Sequence, residues 1–389
     1  MPIQFLQELV KYPTVTPQEC GIYEHIIKKL KPIADNANIK TLKIEQEQNG
    51  VKNLFYAFMP NNNSPHTLHH ICFAGHIDVV PTGDGWEYEA FSGIEKNGYI
   101  YGRGTQDMKG GVSAFVCAIR EVLEYQIFIE SKCMVSILLT SDEEGEGIYG
   151  TNLMLKELET QGLLPQSCIV AEPTSIHSTG DMIKIGRRGS INGTIIIQGK
   201  QGHVAYPQKC INPIELLGHK LGELAGIPLD NGDSNFAPSL LVITDIRGGL
   251  EATNVTPQNL KLMFNVRNSP LSSEDSIREY ISSVLDSIPY ELTINVSSLP
   301  FITKQDNALV QMLTKVIRHV ANIEAELSTS GGTSDARFFA QYGVNVVEIG
   351  VPNDRIHAID ERVSIRDITT LYDIFVEFLQ LSIQSAKNN

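Results

Sequence analysis

The chain of 389 residues has no apolar run as long as the ~20 residues that a membrane-spanning helix needs, so no membrane partner is expected. Basic residues are scarce. Thirty-one Lys and Arg face 45 Asp and Glu, a formal charge of −14, and this argues against a nucleic-acid partner. An anionic small molecule stays admissible, because a few local arginines decide that. The six cysteines (Cys20, Cys72, Cys117, Cys133, Cys168 and Cys210) form no CxxC pair, which argues against a cysteine zinc knot. Most lie in apolar stretches and read as buried thiols of a reducing cytoplasm. The opening Met1-Pro-Ile-Gln-Phe-Leu-Gln-Glu8 lacks the basic-then-apolar order of a signal peptide and is expected to start a helix. The single tryptophan, Trp86, is expected to anchor packing beside Phe91. Gly102-Arg-Gly-Thr105 has neither the GxGxxG nor the GxxxxGK[ST] spacing, so a phosphate cradle would rest on a loose glycine turn alone. No repeat or low-complexity tract occurs.

A hydrophobic content of 42% and the length predict a sizeable core, in two domains or in one with an insertion. Helical periodicity over 3–11 and 19–34 gives way to strands at 39–44 and 53–58, then to the apolar Ile71-Cys-Phe-Ala74. A helix over 109–125, a strand at 134–139, a helix over about 148–161 and a strand at 167–171 follow. This alternation predicts α/β layers around a largely parallel sheet, with ligands beyond the carboxyl ends of its strands. From 183 the pattern changes to a long strand-like stretch, a helix over 213–225, strands at 240–246 and 260–267, a helix over 274–287 and a strand at 291–296. That β-α-β-β-α-β order is the ferredoxin-like signature. Residues 184–298 are therefore expected to be an inserted α+β domain, interrupting a catalytic domain of 1–183 and 299–389. A helix over 306–321, a strand at 344–349 and a helix over 367–385 complete the latter.

Ligand-type residues gather at the predicted strand ends and loops: His76, Asp107, Glu144, Glu172 and His357, with Asp78 and Glu143 as companions. Singly, each has a plainer reading, such as a structural histidine, a helix N-cap or a solvated acidic turn. Together they suit zinc, with cobalt as the alternative. Two ions about 3.5–4 Å apart can share a bridging carboxylate and a bridging hydroxide. Asp107, with two oxygens, is the expected bridge; His76 with Glu172 would complete one metal site, and Glu144 with His357 the other. His76 and Asp78 lie two apart on a strand and share a side, so Asp78 is expected to bond the second ring nitrogen of His76. Adjacent residues leaving a strand diverge. Glu144 can therefore bind metal while Glu143 faces the water, as general base and then acid in attack on a carbonyl.

Phe73-Ala-Gly-His-Ile-Asp78, Gly102-Arg-Gly-Thr-Gln-Asp-Met-Lys109, Thr140-Ser-Asp-Glu-Glu-Gly145 and Ala171-Glu-Pro173 resemble the di-zinc exopeptidase and amidohydrolase family, over essentially the whole chain. The resemblance implies a three-layer zinc-exopeptidase-like α/β catalytic domain, a lid domain that also makes a homodimer, and the metal and catalytic roles just given. It implies that His203, in Gln201-Gly-His-Val-Ala-Tyr-Pro207, reaches the partner subunit's active site and stabilises the tetrahedral oxyanion. Gln208-Lys-Cys-Ile211 departs from the family pattern and leaves lid details open. Gly186-Arg-Arg-Gly-Ser190, the His203 motif and Ser330-Gly-Gly-Thr-Ser-Asp335 resemble the branch that removes a succinyl group from a diamino diacid, a small molecule with three carboxylates. Arg187, Arg188, Arg267 and Arg337 are available to bind these, with Arg187 favoured over Arg188 by the resemblance. Asn254, Thr333, Ser334 and Asn353 are expected to contact substrate. Another deacylase or dipeptidase of the family is the rival reading, and a metal-binding protein without catalysis is a second.

Overall fold

His69–His76 and Cys133–Thr140 are apolar and buried almost throughout, as strands covered on both faces must be. They pair in parallel at the middle of an eight-stranded mixed sheet. Its order is Ile39–Gln48, Val51–Pro60, Cys133–Thr140, His69–His76, Ser167–Val170, Asn345–Glu348, Met182–Lys184 and Glu326–Ser328. This computed structural model describes residues 1–61 and 63–388. The sheet belongs to the first of two units, Met1–Ile185 with Thr303–Ser328 and Ser334–Asn389; the second is Gly186–Ile302 with Thr329–Thr333.

Alternation along His69–His76 sends Phe73 to one face, where Phe115 of helix Lys109–Val122 and Phe375 and Phe378 of helix Ile365–Asn388 enclose it at 5.0–6.4 Å. Such ring pairs add about 0.5–1.5 kcal/mol each beyond burial, and they fix the strand three residues before His76. Helices Thr151–Thr160 and Ala336–Gln341 pack with each other and against the sheet, outside that aromatic core. The fold is the three-layer α/β arrangement the alternation predicts. A three-stranded sheet of Ile94–Lys96, Tyr99–Tyr101 and Arg362–Ser364 adds strands that the sequence reading does not assign.

The second unit has the antiparallel order Leu241–Gly248, Asn259–Val266, Ser190–Gln198, Tyr290–Ser298, with Ser273 capping helix Glu274–Val284. Three expectations need correction. The stretch over 183–200 is three strands, Met182–Lys184, Gly186–Arg187 and Ser190–Gln198, because the chain passes between units at Gly186. The helix over 213–225 is two short pieces, Pro213–Gly218 and Leu221–Leu224; Gly218 and Gly222 weaken its middle. The unit runs to Ile302 rather than 298 and takes in Thr329–Thr333, a return that no local pattern announces. Of the six cysteines, Cys20 is exposed and Cys210 half-buried; the other four are buried. No helix of the described residues is long and apolar enough to cross a membrane.

Candidate metal centre

His76 closes its strand, and two close approaches bring the next segments against it. A Cβ on Gly75 would lie 2.4 Å from the Met108 side chain, and one on Gly111 2.3 Å from the Ala171 carbonyl. At Gly111, where the clash is with backbone, only glycine lets the segment carrying Glu172 lie so close. His357 arrives from a loop with φ +60°, a left-handed conformation that costs a residue with a side chain about 1–3 kcal/mol unless its surroundings hold it.

Asp107 lies between the two imidazoles. Its Oδ1 is 3.0 Å from His76 Nε2, and its Oδ2 is 3.3 Å from His357 Nε2. Glu144 Oε1 is 2.9 Å from His357 Nε2; Glu172 Oε1 and Glu143 Oε2 are 4.0 and 3.9 Å from His76 Nε2. His76, Asp107 and Glu172 offer ligand atoms all within 4.8 Å of one another, and so do Asp107, Glu144 and His357. The five residues thus converge from five separate stretches of the first unit.

Asp78 differs from expectation. His76 Nδ1 donates to the Asp78 backbone carbonyl at 2.8 Å, and the Asp78 carboxylate is 3.6 Å away. That carboxylate instead accepts from the amides of Glu143 at 3.4 Å and Glu144 at 3.1 Å, so it orients the acidic turn. Burial pushes the Asp78 carboxyl up to about 6.

Asp107, Glu143, Glu144 and Glu172 are 8–17% exposed, and their ion pairs among the described residues are with His76 and His357 alone. Four buried carboxylates without a Lys or Arg are a costly arrangement that cations relieve, and nitrogen and oxygen donors fit divalent ions. The imidazoles respond to this field. Hydrogen bonds to Asp107 and Glu144 raise His357 to about 10, and although burial opposes it, His76 is held well above its usual value by Asp107. Burial pushes Glu143 up to about 8 and holds Glu172 well above the usual carboxylate range. A metal takes only neutral imidazole, so ions must displace these protons. Titrating metal-free protein with zinc at pH 7 is expected to release up to three protons, from His76, His357 and Glu172, with affinity falling as pH falls. Calorimetry in two buffers of different ionisation enthalpy reads that number; zero release would refute it.

The remaining candidates divide between the units. In the first, Ser334 is buried with its hydroxyl on Glu348 at 2.5 Å; it shapes its loop and offers no free hydroxyl. Arg337 stacks on Phe338, and Asn353 is exposed. In the second, His203 pairs with Val255, and the Val204 amide bonds the Asn254 carbonyl, so His203 and Asn254 share one exposed ribbon. His203 Nδ1 accepts from the Ala205 amide at 3.1 Å, which leaves Nε2 as the N–H donor of a neutral ring. Arg187 is buried, donating to the Ser330 carbonyl at 2.9 Å. Arg267 is half-buried; burial and the nearby Arg188 charge lower its pKa. Thr333 is half-buried within Thr329–Thr333. Sequence reasoning missed Glu361 and Arg103, a buried ion pair at 2.8 Å behind Asp107; Arg103 inside the glycine turn was the available signal.

Residues 72–381 match the model of peptidase family M20/M25/M40, and the chain belongs to that family of hydrolases, at whose centre divalent metal ions belong. Within it, the succinyl-diaminopimelate desuccinylase of Helicobacter hepaticus is 69% identical over 387 residues, covering 100% of this chain and 99% of the relative. That of Wolinella succinogenes is 49% identical over 377 residues, covering 97% and 98%. Among solved structures, aminopeptidase PepT of Bacillus cereus superposes with a TM-score of 0.77 at 20% identity over 97% of both chains, a likeness of fold.

Proposed function

We propose that this protein hydrolyses N-succinyl-LL-2,6-diaminopimelate to succinate and LL-2,6-diaminopimelate, a step of diaminopimelate and lysine biosynthesis, as a homodimer in the cytoplasm. The observation that carries this reading is end-to-end identity of 69% with a desuccinylase, joined to groups of residues that could hold metal ions. The ions, zinc first and cobalt next, would be held by His76, Asp107 and Glu172 and by Asp107, Glu144 and His357, and would supply Lewis acidity and an acidified water.

The chain's own groups do the rest. Glu143 takes the proton of the attacking water and passes it to the departing amine nitrogen. Asp78 holds the Glu143 and Glu144 amides, and so keeps the base and the ligand pointing apart. His203 Nε2–H serves the oxyanion in the partner subunit's active site. The substrate's carboxylates are met by arginines, with Arg267, half-buried beside the like charge of Arg188, the site most relieved by an anion. Asn254, Thr333, Arg337 and Asn353 are further substrate contacts in this reading.

Succinate release from N-succinyl-LL-2,6-diaminopimelate is expected to exceed acetate release from N-acetylornithine by at least ~10³ in kcat/KM, because arginines left without their carboxylates penalise the wrong substrate. Both substrates run side by side on zinc-restored enzyme decide this; faster acetylornithine turnover would replace the reading with a sibling deacylase.

A further inference from the structure

Behind the metal ligands lies a buried pair that no ligand role explains. Glu361 and Arg103 have side chains 0% and 2% exposed. Glu361 Oε2 accepts from Arg103 Nη1 at 2.8 Å and from the Gly104 amide at 3.0 Å; its Oε1 accepts from the amides of Gln106 at 2.8 Å and Asp107 at 3.2 Å. One carboxylate thus fixes three amides of the turn that delivers Asp107. Arg103 faces the other loop as well. Its Nη2 donates to the His357 carbonyl and its Nη1 to the Ala358 carbonyl, both at 3.2 Å, so the peptide units following the left-handed His357 are held from one side. Gln106 adds a third tie, donating to Asp354 Oδ1 at 2.5 Å and accepting from the Arg355 amide at 2.9 Å.

Every one of these bonds joins the Asp107 turn to the loop carrying His357. The remaining side-chain bonds of Arg103 go to the carbonyls of Pro81 and Thr82 and its amide bonds the Ala90 carbonyl, and none of those described reaches 72–78 or 171–173, the segments that carry His76 and Glu172. The arrangement is therefore lopsided toward one of the two ligand groups.

We propose that Arg103 and Glu361 form a positioning clamp. It sets the spacing of Asp107 and His357, and it thereby governs occupancy of the Asp107–Glu144–His357 position while leaving the His76–Asp107–Glu172 position nearly untouched. The inference rests on the two-ion reading of the centre. Ordinary hydrogen-bond partners of metal ligands change affinity by about 10–100-fold when lost, and this pair is expected to act on one ion alone. The single tryptophan reports on it: the Trp86 ring lies over the Arg103 guanidinium at 5.2 Å, and its Nε1 donates to the Thr82 carbonyl at 2.8 Å.

The test uses full-length metal-free protein, wild type and the Arg103→Lys and Glu361→Gln variants, titrated with cobalt(II) by calorimetry and visible absorption. Lysine keeps a charge opposite Glu361 but has no fork to span two carbonyls. Glutamine keeps the shape of Glu361 and one acceptor. Wild type should bind two ions, with Trp86 emission changing chiefly on the second. In both variants the first ion should bind within about threefold of wild type and the second about 10–100-fold more weakly. Turnover at limiting metal should fall, and it should recover as cobalt is raised. Equal weakening of both ions would make the pair general scaffolding and overturn the proposal, as would an unchanged second ion. Should Glu361→Gln not fold, Arg103→Lys decides. Wild type binding one ion only would sink the two-ion reading instead, and the clamp with it.

Discussion

Glu143→Gln is expected to retain both ions and lose succinate release by roughly 10³–10⁴-fold, the upper range for removing a general acid–base group. Glu143 and its neighbour face different imidazoles: Glu144 lies 2.9 Å from His357, and Glu143 3.9 Å from His76. Burial raises the Glu143 carboxyl to about 8; Asp335, Asp107 and Glu144 add to this while His76 opposes it. Its folded value thus lies above the unfolded 4.5. The group costs the metal-free fold nothing below the unfolded value, and an increasing amount as pH rises through the folded one. Gln has no such cost. Metal-free Glu143→Gln should therefore melt above metal-free wild type at pH 8.5, with the gap closing toward pH 4.5. Metal-to-protein ratios, succinate release and calorimetric melting in chelator check the three parts. Undiminished turnover would remove Glu143 from the mechanism.

The candidate ligands were legible because metal chemistry restricts residue type, and because strand ends mark where ligands bind in α/β sheets. His76, Asp107, Glu144, Glu172 and His357 carried enough of both signals to be chosen before any fold was in hand. What supports them was not legible. The bond from His76 goes to the backbone carbonyl of Asp78 rather than to its carboxylate, and a two-residue spacing cannot tell these apart. Glu361 follows His357 by four residues in a loop of mixed charge, and it becomes significant only when the fold sets it beneath an amide turn some 250 residues earlier. The same limit applies to Ser334, whose hydroxyl is committed to the Glu348 carboxylate by a tertiary contact that local pattern does not encode. Alternation and helical period gave the main sheet and the ferredoxin-like order. They missed strands of three residues, such as Tyr99–Tyr101 and Arg362–Ser364, too short to show a period.

Asp107→Asn is expected to abolish activity by a different route, by at least ~10³-fold, since the polarising ions supply several kcal/mol of the barrier reduction. Asp107 pairs with both histidines, one oxygen at 3.0 Å from His76 and the other at 3.3 Å from His357. An amide keeps one good acceptor and turns a donor toward the second position, so metal content should fall below two ions. The stability effect has the opposite sign to that at Glu143. Burial pushes the Asp107 carboxyl up, but hydrogen bonds from His357 and His76 outweigh it and hold the group well below the usual carboxylate range. A depressed folded value contributes stability that is present above the unfolded 3.8 and lost as pH falls through the folded one. Metal-free Asp107→Asn should therefore melt below metal-free wild type at neutral pH, where Glu143→Gln melts at or above it. One variant loses chemistry with its metals in place; the other loses chemistry because the metals are gone. Asp107→Asn holding two ions at wild-type affinity would show that the two positions do not share this carboxylate, and the centre would have to be redrawn as two separate sites.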